Sequence, residues 1–152
     1  MKSYQQWMDE YGVDHTNPTN QAIHKICVPL IMFSLLGVLW SLPRPVFANI
    51  ELNWAYLLIL LALSFYITLK NIPMLLMMIL QAALMLTVCA WLAPKSILLQ
   101  TSIIIFVLAW IGQFIGHKIE GKKPSFLQDL AFLLIGPLWV NRFLFKKLGI
   151  KA

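Results

Sequence analysis

The stretch WAYLLILLALSFYITLKNIPMLLMMILQAALMLTVCAWLA, residues 54–93, decides the fold of this chain. It holds a single charged residue, Lys70, and the sequence Asn71-Ile72-Pro73 directly after that lysine divides it into two apolar runs. Proline lacks an N–H and disfavours helical geometry in the residue before it, so a turn is expected at this point. Two apolar runs joined by a short turn indicate a pair of helices that cross a lipid bilayer.

Two more apolar runs flank this pair, and each is bounded by proline and a basic residue on at least one side. The predicted spanning helices are therefore 26–42, 54–69, 72–93 and 97–116. A spanning helix needs about 17–25 mainly apolar residues, and the first two runs are near or below that minimum. We expect them to recruit flanking residues, or the bilayer to be thinner around them.

The composition supports the same fold class. Of 152 residues, 60% are hydrophobic and 12% are charged, whereas a soluble domain carries about 25% charged residues. The sequence therefore predicts an all-α membrane protein with one domain, 1–152. A net charge of +6 is expected in a membrane protein, because lysine excess marks the cytoplasmic side and anionic lipid headgroups. We therefore expect membrane lipid as a partner and no nucleic acid.

The positions of lysine and arginine predict the orientation. With the N-terminus inside and four spans, the far side holds Arg44 and Lys95 only. The cytoplasmic side then holds Lys2, Lys25, Lys70, Lys118, Lys122, Lys123, Arg142, Lys146, Lys147 and Lys151. This bias favours both termini in the cytoplasm, and we expect the inner membrane of a bacterium.

A fifth apolar run, 130–145, is predicted not to span. If it did, four of the basic residues would move outside and the bias would disappear. Gly136-Pro137 interrupts this run, and Asn141-Arg142 is expected to end it early. We therefore predict a re-entrant or interfacial helical segment that is kinked at Pro137.

The N-terminal residues predict a short amphipathic helix on the cytoplasmic face. Tyr4, Trp7 and Tyr11 recur at helical spacing on one side. We expect these aromatic rings to lie at the level of the lipid headgroups.

The chain has three histidines, and the predicted topology places all of them on the cytoplasmic side. Asn17 suits a helix N-cap and Pro18 suits the first helical position. In one unbroken helix His15 and His24 would point to opposite faces, but a break at Asn17-Pro18 lets the chain fold back and bring them together. Asn20 and His24 share one helical face.

The third histidine lies at the end of the last predicted span. Gln113, His117 and Glu120 recur on one helical face, and Gly121 is expected to end that helix. Gly112 and Gly116 form a small-xxx-small pair, which allows a neighbouring helix to approach closely. If that neighbour is the first span, His24 meets His117.

Three imidazoles and one carboxylate then converge at the membrane–water boundary. Two histidines and a carboxylate with open positions suit non-haem Fe(II), and three histidines with an open position also suit Zn(II). Spacing alone does not choose between these metals. The set does exclude the di-iron membrane desaturases, which need about eight histidines.

Two blocks of the sequence resemble a known family. They are HTNPTNQAIHKICVPLI, residues 15–31, and QFIGHKIEGKKPSFLQDLAFLLIGPLWV, residues 113–140. The combination resembles the small membrane proteins typified by the fungal 2-hydroxy fatty acid dioxygenase. The resemblance runs from about Tyr11 to Trp139, and the middle spans match only in being hydrophobic.

The resemblance implies an Fe(II)-dependent α-oxidation of long-chain 2-hydroxy fatty acids, in which dioxygen cleaves the C1–C2 bond and leaves a fatty acid one carbon shorter. It implies that His15, His24 and His117 hold the metal and that Glu120 is a ligand or supports one. Asn20 and Gln113 are then expected to donate or accept supporting hydrogen bonds.

Two other functions stay open on the sequence alone. One is a membrane scaffold or lipid-binding protein without catalytic activity, whose histidines only form hydrogen bonds. The other is a zinc-dependent lipid hydrolase, which would need no dioxygen. Whether the chain forms a homo-oligomer also stays open.

Overall fold

The computed structural model describes residues 2–127 and 129–150 of the chain. The described residues form α1 (Tyr4–Val13), α2 (Pro18–Ser41), α3 (Trp54–Thr68), α4 (Ile72–Leu92), α5 (Leu98–Glu120) and α6 (Phe132–Leu148). A hairpin of two very short strands, β1 (Val46–Phe47) and β2 (Ile50–Glu51), joins α2 to α3. The prediction of an all-α membrane protein is confirmed.

Three helices in the described part of the chain are long and apolar enough to cross a membrane. They are Pro18–Ser41, Ile72–Lys95, which counts a 3-10 turn after α4, and Leu98–Glu120. The remaining predicted span, 54–69, corresponds to α3, a shorter apolar helix of 15 residues. At 1.5 Å per residue α3 is ~22 Å long, less than the ~30 Å hydrocarbon core.

Helix α2 begins well before the apolar run that predicted it. The Asn17 side chain accepts hydrogen bonds from the backbone N–H groups of Thr19 and Asn20, and Pro18 occupies the first turn. The predicted N-cap is therefore confirmed. Because the helix starts here, His24 is already inside it at the N-terminal end of the span.

Helix α5 packs against α2 along most of its length, and glycines stand where the two helices approach most closely. A Cβ at Gly37 would overlap Ser102, one at Gly112 would overlap Cys27, and one at Gly116 would overlap Asn20. Helix α5 continues past the end of the predicted span at residue 116 to Glu120, and Gly121, with φ +75°, terminates it as predicted. The close approach at the small-xxx-small pair is confirmed.

Helix α1 is amphipathic, but its aromatic face is covered by protein and does not face lipid as expected. Tyr4, Trp7 and Tyr11 are buried within the protein. They pack in a cluster with the C-terminal end of α3, the N-terminal half of α4 and α6, including Phe132 and Trp139. An aromatic stripe at helical spacing fits protein packing as well as a lipid surface, and here α6 provides the partner.

Helix α6 also differs from its prediction. It runs without interruption from Phe132 through Pro137 and Asn141 to Leu148, so Asn141-Arg142 does not end it. The Asn141 amide is satisfied inside the bundle, where it donates to Gln81 Oε1 of α4 at 2.8 Å. At the other end, the first turn of α6 begins after Asp129, whose side chain accepts a hydrogen bond from the Ala131 N–H at 2.8 Å.

Candidate metal centre

The structure brings the three histidines together. One ring nitrogen from each of His15, His24 and His117 lies in a group whose members are all within 4.8 Å of one another. The three side chains are 1%, 1% and 5% exposed. The α2 N-terminus supplies His24, the α5 C-terminus supplies His117, and the turn between α1 and α2 supplies His15.

Hydrogen bonds fix the orientation of the first two imidazoles. His15 Nδ1 lies 2.6 Å from the Tyr11 carbonyl oxygen, and His24 Nδ1 lies 3.0 Å from the Asn20 carbonyl oxygen. A carbonyl oxygen can only accept, so Nδ1 must carry the proton in both rings. In the neutral rings each Nε2 then presents a lone pair, as a metal-ligating histidine does.

These two lone pairs face each other. His15 Nε2 and His24 Nε2 are 3.0 Å apart, and neither neutral ring has a proton to place between them. Two acceptors at this distance in a buried site repel unless a cation lies beside them. Nitrogens bound to one tetrahedral ion at ~2.0–2.1 Å lie ~3.3 Å apart, so the spacing suits a shared metal.

His117 supplies the second observation that fits a metal. Its Nδ1 is buried and has no hydrogen-bond partner among the described residues. Its ring centroid lies 5.1 Å from that of His15 and 5.0 Å from that of His24. A buried nitrogen without a partner costs free energy that coordination would recover.

Burial controls the protonation of the site. Burial lowers the pKa of His15 to about 4, although the hydrogen bond to the Tyr11 carbonyl opposes this effect. His15 is therefore neutral at neutral pH, which is the form that binds a metal.

Aromatic rings enclose His15 on two sides. The Tyr11 ring stacks on it with centroids 4.1 Å apart, and the Trp139 ring lies 5.1 Å away. Tyr11 and Trp139 also contact each other, with centroids 5.5 Å apart. This packing links α1 and α6 to the histidine cluster and keeps the turn between α1 and α2 in place.

Glu120 has other partners. It is not a member of the metal-binding group found among the described residues. Its Oε1 accepts from the Thr16 N–H at 2.8 Å and from the Thr16 hydroxyl at 2.6 Å. Its Oε2 accepts from the Asn17 N–H at 2.9 Å and from the Asn20 amide at 3.0 Å. The carboxylate therefore holds the turn that carries His15 against the end of α5.

A second set of contacts fastens the same turn. Lys122 Nζ lies 3.1 Å from Asp14 Oδ1 and donates to the Val13 carbonyl oxygen at 2.8 Å. The Ser125 hydroxyl donates to Asp14 Oδ2 at 3.2 Å. The segment after α5 is thus attached to Val13 and Asp14 by three contacts.

Asn20 and Gln113 lie at the edges of the cluster. Asn20 accepts from His24 through its carbonyl and donates to Glu120 through its amide. Gln113 lies one helical turn before His117, is 5% exposed, and its Nε2 has no partner in the described structure. Together with His117 it lines an apolar groove between α2, α5 and α6.

The sequence did not point to Tyr11, Thr16, Asp14 or Trp139 as parts of the site. Tyr11 was expected at the lipid headgroups. The backbone N–H groups of Thr16 and Asn17 bind Glu120, which is about a hundred positions away, so local sequence carries no signal for that contact.

Comparison with known proteins identifies the family of the chain. A family model described as "2-hydroxy-palmitic acid dioxygenase Mpo1-like" matches residues 1–148. The 2-hydroxy-palmitic acid dioxygenase MPO1 of Saccharomyces cerevisiae is 31% identical over 142 residues, which are 90% of this chain and 76% of the yeast protein. No solved structure matches the chain. The chain therefore belongs to the 2-hydroxy-palmitic acid dioxygenase Mpo1-like family.

Proposed function

We propose that this protein is an Fe(II)-dependent dioxygenase that shortens long-chain 2-hydroxy fatty acids by one carbon. The name of the yeast relative and of the family supports the substrate class. The observation that carries the proposal is the pair of unprotonated Nε2 atoms, 3.0 Å apart and buried beside His117. This donor set has the chemistry of a metal centre at which a lipid headgroup can react.

The reaction balances without a further reductant. The C1–C2 bond of the 2-hydroxy acid breaks, C2 is oxidised from an alcohol to the carboxyl carbon of the shorter acid, and C1 leaves as carbon dioxide. One dioxygen is reduced, and one water is released. For a sixteen-carbon substrate, C16H32O3 and O2 give C15H30O2, CO2 and H2O. When bound, Fe(II) supplies the one-electron chemistry that dioxygen requires.

The residues of the chain have distinct roles in this proposal. His15, His24 and His117 hold the metal, and the Tyr11 and Asn20 carbonyls fix the rings of His15 and His24. Glu120 positions the His15 turn, because both of its oxygens already accept hydrogen bonds from residues 16–20. The buried site excludes bulk water, which suits an oxidation that must not leak reactive species.

The test is metal analysis of protein purified without oxygen, followed by addition of 2-hydroxypalmitate and oxygen. We expect about one iron per chain, oxygen uptake equal to the substrate consumed, and the fifteen-carbon acid as product. His117→Ala should lose both iron and activity, whereas Cys27→Ala, one turn beyond His24 on α2, should keep both. Stoichiometric iron in His117→Ala would disprove the assignment.

A zinc-dependent lipid hydrolase is the second candidate, because the cluster itself contains three imidazoles and no carboxylate among the described residues. Zinc in the purified protein, with substrate turnover that continues without oxygen, would favour it. A protein with no stoichiometric metal under either condition would instead be a membrane scaffold.

We also propose that both termini and the histidine cluster face the cytoplasm of a bacterial cell. The basis is the lysine and arginine bias, with Arg44 and Lys95 at the opposite end of the bundle. Alkaline phosphatase fused after Asn49 should be active, and the same reporter fused after Gly121 should be inactive. The reverse pattern would place the site outside.

A further inference from the structure

An apolar groove begins at the histidine cluster. His117 and Gln113 line one end, and the rest is lined mainly by Val28, Ile31 and Met32 of α2, Trp110 of α5, and Leu133 and Pro137 of α6. Its cavity volume is about 60 Å³, and the groove is open along one side, so a ligand bound here would be only partly enclosed.

The groove extends from the cluster into the membrane-embedded part of the bundle. On α5, Gln113 and Trp110 precede His117 in the chain and lie ~6 Å and ~10 Å from it along the helix axis. On α2, Val28 and Met32 follow His24 by ~6 Å and ~12 Å. Leu133, on the α6 side, is 46% exposed, so this part of the lining also meets the lipid.

Gln113 is the one polar side chain that α5 contributes to this groove between His117 and Trp110. It is almost completely buried, and its Nε2 has no hydrogen-bond partner in the part of the chain that the structure describes. Leaving a buried amide N–H without a partner is costly. An oxygen atom of a ligand at this end of the groove would satisfy it.

We propose that the groove holds the hydrocarbon chain of a single-chain fatty acid and that Gln113 donates a hydrogen bond to an oxygen of its head group. This inference rests on the proposed function. A lipid of this class can enter from the bilayer through the open side, with its carboxyl end toward the histidines and its tail between α2 and α6. Gln113 then sets the position of the head group, and Met32 and Leu133 limit the space available to the hydrocarbon chain.

The first experiment measures binding without turnover. Iron-free protein in lipid nanodiscs is labelled with palmitic acid that carries a diazirine at mid-chain, and the adducts are located by mass spectrometry. We expect adducts on α2 and α6 next to the groove. Met32→Trp, which fills the groove, should reduce labelling at least fivefold, whereas Leu30→Trp, at a lipid-facing position of the same helix, should not.

The second experiment addresses the head group. Gln113→Leu should weaken binding of the carboxylate probe at least about tenfold, since a hydrogen bond to a charged group is lost, and should retain iron. Gln100→Leu, at an exposed position of α5, should bind as the wild type does. The circular dichroism and gel-filtration profiles of all four variants should match those of the wild type.

The outcomes separate this inference from the proposed function. Adducts spread over the lipid-facing sides of α3 and α4, or labelling unchanged in Met32→Trp, would overturn the groove assignment even if the enzyme is active. Unchanged probe affinity in Gln113→Leu would overturn the role of that residue. Specific labelling of the groove in a protein that never binds iron would support the groove and refute the dioxygenase.

Discussion

Replacing Glu120 with glutamine tests whether this residue positions His15 or binds the metal itself. The amide keeps one acceptor oxygen, so the contacts with Thr16 can persist, but an NH2 group then faces the Asn17 N–H and the Asn20 amide. The change also removes a negative charge from the N-terminus of α2, where it interacts favourably with the helix dipole.

The magnitude follows from these contacts. Two hydrogen bonds to a charged acceptor are worth ~1.5–3 kcal/mol each, and the dipole interaction adds ~0.3–1 kcal/mol. Glu120 is partly exposed, so water replaces much of this and we reduce the total to about 2 kcal/mol. If the His15 turn must be ordered for binding, metal affinity should fall roughly 30-fold, within the 10–100-fold range of residues that support metal ligands.

The assay is competitive titration of Co(II) against a chromophoric chelator, with Glu10→Gln as the control. Glu10 forms an exposed ion pair with Lys2 and should not affect the metal. Complete loss of binding in Glu120→Gln, equal to that in His117→Ala, would show that Glu120 is a ligand. A change below threefold would show that the contacts with Thr16 and Asn17 do not position His15.

Three further predictions follow from the same geometry. The pKa of His15 is about 4 in the folded protein and 6.5 in the unfolded chain. The metal-free protein should therefore lose up to roughly 3 kcal/mol of the free energy of unfolding as the pH falls from 6.5 to 4, and should gain nothing above pH 6.5. An equal melting temperature at pH 7 and pH 4.5 would contradict this. Gly116→Ala should weaken metal binding at least tenfold, because the added Cβ overlaps Asn20 beside His24. Gly37→Ala is the control, because its Cβ overlaps Ser102 at the far end of the same helix pair. It should lower thermal stability and leave the metal affinity of the folded protein unchanged. Removing the metal with a chelator should lower the melting temperature, and added metal at a concentration of 100 Kd should restore ~2.7 kcal/mol of the free energy of unfolding. No shift in the melting temperature would mean that the cluster binds no ion.

Much of the site could be predicted because local signals controlled it. The Asn17-Pro18 pair fixes the start of α2 through a side-chain cap and a preset φ, so the chain must turn just after His15. Gly112 and Gly116 mark where α5 can approach another helix. Both signals depend on backbone geometry and local sterics, which short sequence windows report.

The remaining features depend on partners that are distant in sequence. Nothing near Asn141 reveals that Gln81 will satisfy its amide and allow α6 to continue. Hydropathy bounds only the apolar part of the first span, from residue 26, whereas the helix itself begins at Pro18 and continues through the polar His24 and Lys25. The hairpin at residues 46–51 was missed because Ala48 and Asn49 both adopt positive φ, which a proline-rich loop does not indicate.

The histidines of the cluster lie far apart in the sequence, and this has a consequence for biosynthesis. His117 follows His24 by 93 positions (117 − 24), so at ~5–20 residues per second several seconds of translation separate them. During that time the nascent chain carries two imidazoles of an unfinished triad. Under the proposed function, a cation would be captured only after α5 has inserted beside α2, so metallation would report that these two helices have paired.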